Sequence, residues 1–97
     1  MNKYSVNKLP TDILKETGQK HRNLRRQAKL SQSLLAEKSG VSLGSIKRFE
    51  QTGKISFESL LKLAHILGRL SEFETILAPQ EDLAEIEKLF SDKTRYQ

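Results

Sequence analysis

The 97-residue chain can build one small hydrophobic core, and its lack of cysteine excludes a disulfide framework and thiolate metal sites. It shows no signal-like leader and no run long enough to span a bilayer, so the expectation is a cytoplasmic protein in a reducing interior. The net charge of +5 is unevenly spread, with twelve Lys/Arg against four Asp/Glu in residues 1–54 and five against eight in residues 55–97, as if one face meets a polyanion.

Residues 1–10 read as an N-terminal arm without periodicity. Thr11 is then a helix cap, and Asp12 suits the positive end of the dipole. Ile13, Thr17, His21, Leu24 and Ala28 recur at helical spacing, which predicts a first helix over 12–28 with Gly18 as a tolerated weak point. Ser31 caps a second helix over 32–39 that Gly40 ends. Ser42 caps a third over 43–51, stopped by Thr52-Gly53, and Ser56 caps a fourth over 57–67, stopped by Gly68. The fourth is apolar around most of its circumference, as a central helix should be. Ser71-Glu72-Phe73-Glu74 forms a capping box that opens a short fifth helix, which Ala78-Pro79 breaks. Residues 79–97 form an acidic extension, with Leu83, Ile86, Leu89 and Phe90 on one face of an amphipathic helix over 80–90. The expected class is all-α, with residues 11–78 as the main domain.

The stretch from Leu30 to Glu50 carries the chemistry. Two short helices joined by a glycine turn, the second with adjacent cations, make the layout of a helix-turn-helix that sets its second helix in the DNA major groove. Leu35, Ala36, Val41, Ile46 and Phe49 form the joint between the two helices. Ser42, Leu43, Gly44, Lys47 and Arg48 lie on the outer side of the third helix. Short residues there let the helix sink into a groove about 12 Å wide, and Arg48, with Lys47, has the reach to meet guanine O6 and N7. Phosphate contacts fall to flanking groups, namely Gln32, Ser45, Lys54, Arg26 and Lys29. Glu50 leans toward the core beside Phe49. A carboxylate buried there needs a cation, which Arg25 supplies, with Arg22 as the fallback.

Enzymatic readings find no support in these residues. His21 and His65 lack metal-ligand spacing with other donors, so no metal or other cofactor is expected. Gly40-x-x-x-Gly44-Ser lacks the lysine and strand context of a phosphate loop.

Arg25, Leu30-Ser31-Gln32, Leu35-Ala36, Gly40-Val41-Ser42, Ile46, Phe49-Glu50, Gly53 and Leu63-Ala64 through Leu67-Gly68 together resemble the lambda-repressor-like, Xre-type helix-turn-helix regulators. The resemblance spans about residues 18–78. It implies a five-helix domain that binds double-stranded DNA as a homodimer on a palindromic operator, here with an N-terminal arm and an additional C-terminal helix. It implies that Arg25 pairs with Glu50, that Gln32 meets the DNA backbone, and that Ser42, Leu43, Gly44 and Arg48 face bases. Leu70, Phe73, Ile76 and Leu77 are the expected dimer interface. Two positions depart from the family pattern. Leu34 stands where a polar residue is usual, and Leu43 and Gly44 read bases less directly than glutamines do, which shifts weight to DNA shape. Small proteins of this kind with an acidic end are similar to HipB-type antitoxins as well as to repressors. The apolar face of 80–90 then either binds a toxin partner or packs on Leu9, Ile13 or a second subunit.

Overall fold

The structure, a computed structural model, describes residues 7–80. Within them the chain forms four α-helices and one 3-10 turn, with no strand: α1 (Pro10–Gln27), α2 (Gln32–Ser39), α3 (Leu43–Thr52), α4 (Phe57–Ile66), then the 3-10 turn Leu70–Phe73. The C-terminal helix expected beyond residue 80 lies outside the described residues.

Local chemistry sets the starts of α2, α3 and α4. The hydroxyls of Ser31, Ser42 and Ser56 accept the backbone N–H groups of Leu34, Ser45 and Ser59, each satisfying one of the donors a helix start leaves unpaired. Gly40 and Gly53 close α2 and α3 at φ 79° and 84°, in the left-handed region where a Cβ is costly. The start of α1 differs from the sequence expectation. Pro10 occupies the first helical position, Leu9 stands where Thr11 was expected, and the Asp12 carboxylate accepts the Leu9 N–H at 2.8 Å. Proline fits there because its missing N–H would have gone unpaired anyway.

Phe49, Leu35, Ile46 and Leu63 are fully buried and form the core with Val41, and Leu30, Ala36, Ile55, Leu60 and Ile66 pack around them. The inward face of α1 matches the predicted stripe only in part, at His21 and, half-buried, at Thr17 and Leu24. Ile13 and Ala28 are exposed, and the buried residues are Gly18, His21 and Arg25. Far from being a tolerated weak point, Gly18 is the place where α1 meets α3 backbone to backbone. A Cβ on Gly18 would run into the Phe49 carbonyl oxygen, and one on Gly53 would run into the Leu14 carbonyl. The two glycines permit a close crossing that fixes the distance between α1 and α3.

The expected fifth helix is also replaced. Residues 70–73 make a single 3-10 turn closed by the bonds Glu72 N–H to Arg69 O and Glu74 N–H to Ser71 O, and the chain continues in turns through Leu77. Only ten residues lie between Gly68 and Pro79, too few for a helix to persist on propensity alone. Ile76 and Leu77 are exposed at 46% and 98%, so no described packing rewards a longer one.

Candidate nucleic-acid interface

The site is organised around one buried carboxylate. Glu50 is on the inner side of α3 and accepts four hydrogen bonds, which fills its acceptor capacity. Arg25 on α1 donates twice, Nε to Oε2 at 2.8 Å and Nη2 to Oε1 at 3.0 Å. His21, one turn earlier on the same face of α1, places Nδ1 2.8 Å from Oε2. Gln32 at the first turn of α2 donates its amide to Oε1 at 2.9 Å. Arg25 also reaches the Leu30 carbonyl with Nη1 at 2.7 Å, tying the α1–α2 connection to the same cluster. Three helices are thus held at a single point by directional bonds.

Burial by itself would push the Glu50 carboxyl up. The bonds from Arg25 and Gln32 and the charges of Arg25 and His21 outweigh it, and hold the carboxyl below its usual range. Burial likewise pushes the His21 imidazole down, and Arg25 adds to this, against the raising influence of Glu50. The net shift is downward, so His21 is neutral near pH 7. Because an ionised carboxylate can only accept, the neutral ring carries its proton on Nδ1. The ring also packs against Phe49 at 4.9 Å between centroids, and its Nε2 is buried without a hydrogen-bond partner among the described residues.

The opposite side of α3 is open. Ser42, Gly44, Lys47 and Arg48 are exposed, and Leu43 and Ser45 are half-buried. The Ser42 hydroxyl bonds that of Ser45 at 2.8 Å while capping its N–H, which gives the helix start a compact, short-chained tip. Neither Lys47 nor Arg48 pairs with a carboxylate among the described residues. Arg48 and Ser45 share a polar cavity of about 230 Å³ with Lys54, Ser56 and Ser59, so the structure brings together residues from α3, the following loop and the start of α4. Cations and a helix N-terminus around one concavity suit an anionic oxygen.

A second polar cavity, of about 330 Å³, lies at the start of α2 between Gln19, Arg22, Gln32, Glu50 and Gln51. Gln32 is partly committed here, with one amide hydrogen on Glu50 and one left for a ligand. Arg22 does not pair with Glu50 and instead lines this cavity. Arg26 and Lys29 are exposed nearby in sequence, and Lys29 holds φ at 60° where the chain turns from α1 to α2. Leu70, Phe73, Ile76 and Leu77 sit on the 3-10 turn and the turns after it, not on a fifth helix. Phe73 is half-buried, edge-on to Phe57 at 6.0 Å, and the other three are exposed.

Sequence reasoning missed the place of two residues. His21 is a member of the Glu50 cluster, and the signal was its position four residues before Arg25 on the same helix face. Arg22 is a cavity cation rather than a spare partner for Glu50. Among the described residues no helix is long and apolar enough to cross a membrane, and no group of three His, Cys, Asp or Glu residues could hold a metal ion.

A helix-turn-helix family model matches residues 22–74, more than half of the chain. No curated protein matches the sequence.

Proposed function

Because the chain belongs to the lambda-repressor-like, Xre-type helix-turn-helix family, whose domain binds DNA, we propose that it is a sequence-specific transcriptional regulator that sets α3 in the major groove. The observation that carries this reading is the division of α3 into two faces. Glu50, its one acid, is clamped inward by four bonds, while Lys47 and Arg48 project outward unpaired among the described residues. In this reading Ser42, Leu43, Gly44, Lys47 and Arg48 meet base edges. Gln32, Ser45, Lys54, Arg26 and Lys29 meet phosphates, and the cavity at the start of α2 adds Arg22 to that set. The protein acts as a cytoplasmic repressor, a homodimer joined through Leu70, Phe73, Ile76 and Leu77. Its palindromic operator has half-sites about one helical turn apart.

Selection of bound duplexes from a random pool tests the reading, and a palindrome is the expected product. On that duplex, Arg48→Ala should reduce the preference for operator over random DNA. Lys54→Ala should weaken both alike and flatten the salt dependence. An unselective pool, or equal effects of the two substitutions, refutes the assignment. The second reading, an antitoxin with a toxin partner, rests on the acidic and apolar alternation of residues 80–90. It predicts that deleting residues 81–97 abolishes capture of one specific protein from the native host and leaves DNA selection intact.

A further inference from the structure

Among the described residues, His21 is the one buried titratable group that the DNA-reading face does not account for. It is 7% exposed, with Nδ1 spent on Glu50 and Nε2 enclosed without a partner among the described residues. The residue also borders a mostly apolar groove of about 250 Å³ formed with Leu24, Leu60, Ala64 and Phe73 and not lined by Glu50. The charged groups around the ring come from every element packed on it. Glu50 of α3 and Arg25 of α1 lie on the inner side, with Arg22 lining the neighbouring polar cavity. Lys20 of α1 lies at the groove, together with Arg69 and Glu72 of the 3-10 segment, which pair with each other. From α4 the groove receives only apolar side chains, and α2 contributes the Gln32 amide on Glu50.

We infer that His21 is a positioning residue for α3, and that taking up a proton at Nε2 costs Glu50 one of its four hydrogen bonds and weakens DNA binding in acid. A second proton would place an N–H where nothing accepts it, an arrangement that folded proteins avoid. The close backbone crossing at Gly18 and Gly53 bars α1 and α3 from closing up further around the ring. The groove is the open side. The protonated ring therefore moves toward the groove and solvent, and Glu50 keeps Arg25 and Gln32 but loses its third donor. α3, which carries Lys47 and Arg48, is then held less firmly. The lowered pKa of His21 agrees in direction, since the closed structure disfavours the charged ring. An added positive charge acting only through space would do the opposite and strengthen the attraction to phosphate. The sign of the pH effect therefore separates the two mechanisms.

The inference rests on the DNA-binding reading, and its test has one arm with DNA and one without. In the first, the full chain binds its selected duplex at constant ionic strength between pH 7.5 and 5.5. Wild type should lose affinity several-fold, short of the roughly tenfold that a group titrating at about 6.5 could give over this range. His21→Gln retains a donor for Glu50 but cannot titrate, and should change by no more than about twofold. His65→Gln, which alters the other histidine, should follow wild type. An affinity that is flat or rises in acid, or a His21→Gln protein as sensitive as wild type, overturns the inference. In the second arm, nitrogen-detected NMR of the imidazoles in wild type should show Nδ1 protonated and Nε2 bare at pH 7.5. The ring should titrate below about 6.5, the ordinary imidazole value, and shift α3 amides as it does so. The opposite tautomer, or titration without a response in α3, overturns the inference without reference to DNA. Failure to select any duplex at any pH defeats the DNA reading alone, and the NMR arm then decides the role of His21.

Discussion

Gly18→Ala is expected to destabilise the protein even though it replaces glycine in the middle of an 18-residue helix. On local grounds the change is favourable, since alanine is preferred to glycine inside a helix by about 1 kcal/mol. The crossing with α3 reverses the sign. The new methyl group would meet the Phe49 carbonyl oxygen, with the Gly53 Cα only 3.4 Å away. Crowding in a packed interior costs about 1–3 kcal/mol, and a backbone obstacle cannot turn aside as a flexible side chain can. That carbonyl also accepts the Gly53 N–H at 2.7 Å, so displacing it loosens the end of α3 at a further cost of about 1 kcal/mol. After the helix-propensity gain is subtracted, a net loss of about 2 kcal/mol remains. Urea unfolding followed by far-UV circular dichroism measures it, as a lower midpoint with the same slope. Gly44→Ala is the matched control. Nothing lies within 4 Å of a Cβ built there, so it should stabilise by up to about 1 kcal/mol. If Gly18→Ala is neutral or stabilising in the same assay, the close approach of α1 and α3 is wrong.

Glu50→Ala should cost about 3–5 kcal/mol in urea unfolding, because it strands the buried Arg25 guanidinium. A loss under about 1 kcal/mol would mean the cluster is solvated. Stability should fall in acid in two stages. His21 and Glu50 both have lowered folded-state pKa values, so the unfolded chain binds more protons as the pH drops. The His21 contribution is complete above its unfolded value and declines below about pH 6.5, and that of Glu50 declines below about 4.5. His21→Gln should abolish the first stage and keep the second, as read from unfolding midpoints across the pH range. Lys29→Gly should stabilise by about 1 kcal/mol, because Lys29 holds a left-handed φ of 60° that glycine adopts freely. An unchanged or lower melting temperature would show that this strain is absent.

The parts of the fold legible in the sequence are those fixed by local chemistry. The serines at 31, 42 and 56 announce helix starts because a hydroxyl can cap its own chain three residues on, whatever packs around it. Gly40 and Gly53 announce helix ends for a similarly local reason. The inner face of α1 is legible only in part, because apolar periodicity picks out Ile13 and Ala28, which are exposed, and of the buried Gly18, His21 and Arg25 only His21 falls on the stripe. None of those three counts as apolar, yet each is buried by a specific partner on α3. The fifth helix failed for the converse reason. Its capping box is a genuine local signal, but a segment this short needs a packing surface, and the described residues offer none to Ile76 or Leu77. Arg25 was foreseeable as the partner of Glu50 because a buried carboxylate demands a cation. His21 gave only a weaker signal, its spacing of four from Arg25, because its neutral form satisfies the same carboxylate without bringing a charge.

That buried polar cluster bears directly on how the exposed cations of α3 are aimed. Only six apolar residues are buried among the described residues, and contacts among them resist separation of the helices more than they resist rotation of one helix about its own axis. Hydrogen bonds are directional. Four of them converge on Glu50 from α1 and α2, and a turn of α3 by a single residue, about 100°, would break all four. Arg48 precedes Glu50 by two residues, about 200° around the helix, so the bonds that hold the carboxylate inward hold the arginine outward. Replacing the cluster with apolar side chains of equal volume could leave stability unchanged, as it can for other buried ion pairs. The feature expected to be lost is the fixed rotation of α3. A combined apolar replacement of His21, Arg25, Gln32 and Glu50 that keeps its unfolding midpoint should therefore still bind DNA through Lys54 and its neighbours, but lose its preference for operator over random duplex. If that variant kept both stability and preference, the apolar core alone would be setting the rotation of α3, and the polar cluster would have no part in recognition.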